Sequence, residues 1–317
     1  MSTVSRVLNG SSSVRVEIRQ AVERLLKESN YQKRSISSPK KYMSGTIGLV
    51  VPDIANPYFT LLIKGIENTV RLFRLSLVLC DSENDTRLED QIVANLLRAG
   101  ISGLVLVPAR TGGDSLIHHL VEREFPVVFL DRTPKRNHRI SSVTADNSAG
   151  AYQAARYLIS LGHRNILYLA GSTESSTEIA RRDGFEKAIA EQKLKSDDLL
   201  HADGDYDWDR AYAEVTALLD ARRSFSAVFA TNDIMALGAM QALQEHDLKV
   251  PEHTSVIGFD DIPFSKLVSL TTVAQHPYEM ATRAARLLLD IIEKRVPGPQ
   301  SLVLMPSLMI RGSCRRL

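Results

Sequence analysis

Ile47 to Val51 (IGLVV) is a short, unbroken apolar run, and it opens a pattern that repeats down the rest of the chain. A run of that length without polar alternation is what a strand buried on both faces of a parallel sheet requires. Further strand candidates stand at 76–80, 103–107, 127–130, 165–169, 226–230 and 255–259. Helix candidates lie between them, near 57–73, 87–98, 114–123, 147–161, 176–191, 208–221 and 233–245. Such alternation means βαβ units and a doubly wound α/β fold. One sheet of so many strands would be unusually wide, so two parallel-sheet lobes are expected, with a break near 146–165. A last helix over 277–295 and a strand-like stretch over 301–310 are expected to recross between them. This gives lobe one about 46–146 plus 277–303, and lobe two about 147–276 plus 304–317.

At 317 residues the chain has room for two lobes and an appendage. No apolar run reaches the length of a membrane span, and the N-terminus lacks the apolar core of a signal peptide. Cys80 and Cys314 are the only cysteines, which argues against a disulfide framework and for a reducing cytoplasm. The net charge of +2 hides an asymmetry: residues 1–43 carry nine Lys and Arg against three Glu, a net +6, leaving −4 for the rest. A basic head on a slightly acidic body is the footprint of a chain that sets one end on a polyanion, although a solvated tail has the same charge.

Within that head, Val4, Val7 and Leu8 fall on one face of a short helix that Asn9-Gly10 would end, while Thr3, Ser5 and Arg6 carry hydrogen-bonding side chains. Such a helix fits a major groove, or any protein surface. Val14 to Asn30 predicts a second helix with Val14, Ile18, Ala21, Val22, Leu25 and Leu26 on one side. Residues 1–30 are therefore a small helical head. Residues 31–45, polar, basic and interrupted by Pro39, form a linker to the core at 46–317.

Ligands of open α/β sheets sit beyond the carboxyl ends of the strands. At those positions the sequence supplies Asp53, Asn56, Tyr58 and Phe59, then Asp131 and Arg132. Asp146 and Asn147 follow near the lobe break, then Arg181, Asn232, Asp233, Asp260, Asp261 and Gln275. Carboxylates, amides and arginines match vicinal hydroxyls, and aromatic faces stack on the C–H faces of a sugar ring. Asn and Asp after a strand are equally good helix N-caps, and for Asn232-Asp233 the two roles weigh the same.

Catalytic patterns are missing: there is no phosphate-binding G-x-x-x-x-G-K-[ST], no G-x-S-x-G, no H-E-x-x-H and no C-x-x-C. His118-His119 reads as helix surface, and His163 after Gly162 as a cap in a helix-to-strand turn. Asp81, Glu83 and Asp85 lack the Gly and terminal Glu of a calcium loop. No enzyme, cofactor or metal site is expected.

Thr3-Val4-Ser5-Arg6-Val7-Leu8-Asn9-Gly10 resembles the recognition-helix signature of the lactose-repressor family of bacterial transcriptional regulators. Thr46-Ile47-Gly48-Leu49-Val50-Val51-Pro52, Asn56-Pro57-Tyr58-Phe59 and Leu161-Gly162-His163-Arg164 resemble segments of its effector domain. So do Arg181 with Gly184-Phe185, Thr231-Asn232-Asp233, Gly258-Phe259-Asp260-Asp261, and Thr271-Thr272-Val273 with Gln275, in the family's order along nearly the whole chain. The resemblance implies a helix-turn-helix head, a hinge, and a two-lobed core like the periplasmic ribose-binding protein, in a cytoplasmic dimer that binds double-stranded operator DNA. It implies DNA contact by Thr3, Ser5, Arg6 and Asn9, with Lys27, Lys33, Arg34, Lys40 and Lys41 nearer phosphates.

The same resemblance, to ribose-type members, implies effector contact by Asn56, Phe59, Asp131, Arg132, Arg181, Asn232, Asp260 and Gln275. Asp146 stands close by, and Tyr58 and Tyr206 stand where that pattern usually has Phe. The expected effector is a small neutral, pentose-like sugar. The family places a helix and a turn ahead of the recognition helix, and this sequence starts at Met1 immediately before it, so an incomplete, truncated head is expected. In the hinge, Ser37-Ser38-Pro39-Lys40 replaces the family's minor-groove helix. The rival function is a stand-alone sugar-binding protein without DNA binding, against which the basic head and the missing signal peptide both speak.

Overall fold

The structure, a computed structural model, describes residues 18, 20, 45–109, 119–134, 140–194 and 199–317. The chain divides into two compact units, Met1–Met43 and Ser44–Leu317. In the first unit Ile18 and Gln20 are helical and exposed, although the periodicity puts Ile18 on the inward face. Thr3, Ser5, Arg6, Asn9, the Pro39 segment and His118 lie outside the described residues.

The second unit begins with β1 (Thr46–Val51), α1 (Pro57–Leu72), β2 (Ser76–Asp81), α2 (Thr86–Arg98), β3 (Gly103–Leu106), β4 (Val127–Leu130) and β5 (Ser141–Ala145). It continues through α3 (Asn147–Ser160), β6 (Ile166–Ala170), α4 (Ser176–Glu191), β7 (Leu199–Asp203), α5 (Trp208–Asp220), β8 (Ala227–Ala230) and α6 (Asp233–Glu245). It ends with β9 (Ser255–Ile257), α7 (Pro263–Leu267), β10 (Thr272–Ala274), α8 (Pro277–Ile292), β11 (Ser301–Leu304) and β12 (Ser307–Met309).

Two all-parallel sheets result, ordered β11-β5-β4-β3-β1-β2 and β7-β6-β8-β9. The apolar runs β3, β4, β6 and β8 are wholly buried, as strands covered by helices on both faces must be. On the second sheet Tyr168, Phe229 and Phe259 pack with the alanine-rich face of α3 and with Phe185 of α4. Leu167, Leu169 and Val228 point the other way, with Met235, Ala239 and Leu243 of α6 in the opposite layer. Helices α3 and α4 approach closely enough that a Cβ on Gly184 would run into the Ser148 carbonyl.

In each sheet the chain reverses its direction of winding, between β1 and β3 in the first and between β6 and β8 in the second. Those reversals leave crevices at the carboxyl ends of the strands. The backbone passes from one sheet's elements to the other's after Ala145, after Ala274 and after Leu304.

Three expectations need correction. The stretch 301–310 is two strands: β11 joins the first sheet, while β12 pairs antiparallel with β10, and Met305-Pro306 separates them. β5 and β7 escape periodicity because Ser141 and Ser142 make β5 polar, and because β7 is a half-exposed edge strand. His163 is no turn cap. It is fully buried and bridges the Ser226 hydroxyl at 2.9 Å and the Arg315 carbonyl at 3.1 Å, tying the C-terminal segment to the core.

Candidate functional site

The apolar strands end abruptly in polar residues, and these residues meet in one small cavity. It is lined by Asp53, Asn56, Tyr58, Phe59, Asn84, Asp131 and Arg132 from the first sheet's loops, and by Thr177, Arg181, Tyr206, Asn232 and Asp260 from the second's. The space left among them is about 30 Å³, enough for a water molecule.

Several of these side chains do two jobs. Asn56 starts α1, its Oδ1 accepting from the Tyr58 N–H at 3.0 Å, and Asn232 starts α6 by accepting from the Met235 N–H at 2.8 Å. Capping and cavity lining thus coincide at both. Asp146 caps α3 through the Ala149 N–H at 2.9 Å and does not line the cavity. Gln275 also stands outside it. It is fully buried behind Asp260, donating to its Oδ1 at 2.6 Å, while its own Oε1 has no hydrogen-bond partner.

Arg132 reaches over from the end of β4. Its Nη1 donates to the carbonyls of Ala109 at 3.0 Å and Pro108 at 3.4 Å and to Asn84 Oδ1 at 3.3 Å. Its guanidinium lies 5.4 Å from the Tyr206 ring centroid and 5.8 Å from that of Phe59, a cation held between aromatic rings of the two lobes. A second link across the cleft runs from the Thr133 N–H to Ser176 Oγ at 3.0 Å.

Arg181 projects from α4 and is held by hydrogen bonds at two of its three nitrogens. Its Nε donates to Asn147 Oδ1 at 2.8 Å, its Nη1 to the Thr231 carbonyl, and its Nη2 lies 3.7 Å from Asp260 Oδ1. The guanidinium stacks 3.9 Å from the Phe259 centroid. Burial pushes the Asp260 carboxyl well above the usual range; Arg181 opposes this, while Asp233 and Asp131 add to it. Tyr58, buried, donates to Asp131 Oδ1 at 2.5 Å, and burial with the neighbouring carboxylates lifts its phenol far above an ordinary one. Burial, and then Glu178, push the Tyr206 phenol up to about 12; its hydroxyl pairs with Thr177 Oγ1 at 3.1 Å. The Tyr206 ring lies against Gly171, where any Cβ would collide with it.

Asn84 and Thr177 were not anticipated. Asn84 follows β2 in the segment that reads as a failed calcium loop, in which Asp81 and Asp85 are spent on backbone donors. Asp81 accepts from Ile54 and Glu83, and Asp85 caps α2. Thr177 lies in the first turn of α4, one turn before Arg181, and that spacing on a helix opening after a strand was the available signal. Among the described residues no cluster could hold a metal ion, and no helix is long and apolar enough to cross a membrane.

Comparison with known proteins places this geometry in context. The model of the periplasmic binding protein-like domain matches residues 155–314, and that of bacterial regulatory proteins, lacI family, matches residues 1–33. The catabolite control protein A of Priestia megaterium is 31% identical over 313 residues, covering 96% of this chain and 92% of its own. The ribose operon repressor of Halalkalibacterium halodurans is 31% identical over 298 residues, covering 93% and 87%. Among solved structures, a LacI family transcriptional regulator from Enterococcus faecium with bound ribose superposes with a TM-score of 0.79 at 30% identity, covering 86% of this chain and 99% of that one. A lac repressor dimer bound to operator gives 0.77 at 26% identity, covering 99% and 94%.

Proposed function

The chain belongs to the LacI family of bacterial regulatory proteins, and from that premise we propose that it is a cytoplasmic, dimeric repressor whose grip on operator DNA is set by a small neutral sugar bound between its lobes. It is a regulator and not an enzyme, as its relatives are. The observation that carries the choice of effector is the charge balance of the cavity. The lining carries three carboxyl groups, Asp53, Asp131 and Asp260, against two cations, Arg132 and Arg181, each of which stands within 4 Å of one of those carboxyls, so there is no surplus cation to neutralise a phosphate or an acid. What remains for a ligand is a set of carboxylate and amide groups flanked by Tyr58, Phe59 and Tyr206, which suits a ring of hydroxyls with apolar C–H faces.

Asn56, Tyr58, Phe59, Asp131, Arg132, Arg181, Tyr206, Asn232 and Asp260 are the proposed contacts. Gln275 holds Asp260, and Asp146 sets the start of α3 at the first crossing between lobes. Small-molecule pockets enclose about 300–1,000 Å³, so the cleft admits a sugar only as the Arg132–Tyr206 and Thr133–Ser176 links part and re-form. Closure around the ligand then shifts the lobes about the three crossings and, across a dimer, the spacing of the heads on operator half-sites. Thr3, Ser5, Arg6 and Asn9, within the region matched by the regulatory family, are the proposed DNA contacts.

Calorimetry against pentoses, hexoses, phosphorylated sugars and purines tests the effector. Heat from a neutral monosaccharide, and none from its phosphate, is expected; purine binding with every sugar silent overturns the reading.

A further inference from the structure

Most of what lobe two brings to the cleft is fastened by one side chain that stands outside it. Glu178 lies in the first turn of α4, fully buried and absent from the cavity lining. Its two oxygens have separate partners. Oε1 accepts from the Tyr168 hydroxyl at 2.7 Å, within the aromatic core of the lobe. Oε2 accepts from the Thr231 hydroxyl at 2.7 Å and from the Gly171 N–H at 2.9 Å, the residues that directly follow β8 and β6. The Gly171 N–H also reaches Thr231 Oγ1 at 2.9 Å, which closes the knot. Burial pushes the Glu178 carboxyl up, and these donors, with Arg181, pull it back. A carboxylate at this depth is a costly fastener, so what it fastens matters.

Each partner of Oε2 carries part of the cleft. The Tyr206 ring lies on Gly171, and its loop hangs from the preceding Ala170 carbonyl by the N–H groups of Gly204 at 2.8 Å and Asp205 at 3.2 Å. The Thr231 carbonyl receives Arg181 Nη1, and Asn232 is the next residue. Ser176 and Thr177, which meet Thr133 and Tyr206, come just before Glu178, and Ser175 ahead of them makes no side-chain cap. Glu178 therefore ties the start of α4 to the two strand ends that frame the lobe-two wall. Oε1 has no such connection.

We propose that Glu178 is a positioning residue for sugar binding, whose Oε2 holds Gly171 and Thr231 so that Tyr206, Arg181 and Asn232 are set before the ligand arrives, while Oε1 serves the core alone. The proposal rests on reading the cleft as a sugar site.

The test is calorimetry of the full chain with D-ribose, or with whichever neutral monosaccharide gives the largest heat, and thermal unfolding of every variant. Thr231→Val removes the side-chain donor to Oε2 and Tyr168→Phe the donor to Oε1, each keeping the shape of the side chain. Thr231→Val is expected to weaken the sugar by about fivefold or more. Tyr168→Phe is expected to lower the melting temperature and leave the sugar Kd within about twofold of the wild type. Glu178→Met, which removes both acceptors, is expected to weaken the sugar by about tenfold or more; should it not fold, the first two variants decide. A merely structural carboxylate would lower the melting temperature in both and leave the Kd of the folded protein unmoved. An unchanged Kd in Thr231→Val overturns the proposal, as does an equal loss in Tyr168→Phe, and both leave the sugar reading standing. Silence of every neutral sugar with the wild type, beside a purine response, overturns the sugar reading and this proposal with it.

Discussion

Replacing Arg181 with Met should destabilise the core by an amount that depends on pH. Met preserves much of the aliphatic packing over Phe259 but deletes every polar contact of the guanidinium. Asn147 Oδ1 and the Thr231 carbonyl lose their donors, and Asp260, 4% exposed, loses the cation 3.7 Å away. Removing one partner of a buried ion pair costs about 3–5 kcal/mol. At roughly 2–4 °C per kcal/mol for a domain of this size, the melting temperature should fall by about 10 °C. The pH dependence identifies the cause. Asp260 already has a raised folded-state pKa, so its contribution is most favourable below its unfolded value and is lost as pH rises through the folded one. Without Arg181 that pKa moves higher still, so the deficit should be larger at pH 8 than at pH 5. Differential scanning calorimetry at the two pH values measures it. A drop below about 2 °C, or one equal at both pH values, would show that Asp260 carries no charge that Arg181 compensates.

Other substitutions probe separate parts of the fold. Gly184→Ala, which in an open helix would stabilise by about 1 kcal/mol, should here cost about 2 kcal/mol or more, because the new methyl meets the Ser148 carbonyl; the urea midpoint reads the sign. Gly171→Ala should cost less stability than Gly184→Ala, because its methyl meets a side-chain ring rather than backbone, yet weaken sugar binding by about tenfold or more in calorimetry, since it displaces the Tyr206 ring. Glu89 is buried on α2, accepts from the Ala109 N–H at 2.7 Å, and is raised to about 7 by burial. Its raised pKa favours the folded state below the unfolded value and loses that advantage as pH climbs through 7, so Glu89→Gln should raise the melting temperature at pH 8 more than at pH 5.

The sequence discloses those parts of the molecule whose neighbours are local or uniformly apolar. β1, β3, β4, β6 and β8 are legible because burial on both faces demands an unbroken apolar run. β5 is not, because its serines are satisfied by residues far along the chain: Ser141 Oγ accepts from the Gln300 N–H, and Ser142 pairs with Ser301. Cavity residues stand out where polar groups directly follow buried strands, as at Asp131 and Asp260. Asn84 does not, since its use is decided by Arg132, 48 positions away. At Asn56 and Asn232 composition left capping and ligand contact in balance, and one side chain caps and faces the cavity at once.

The central claim is that sugar in the cleft changes the hold on DNA. Fluorescence anisotropy of the chain on a duplex from upstream of its own gene, with and without a saturating sugar found by calorimetry, tests it most directly. The account predicts salt-sensitive binding whose Kd shifts by about 5- to 150-fold with the sugar, the range expected for a coupling of about 1–3 kcal/mol. Superimposable binding curves with and without bound sugar would contradict it.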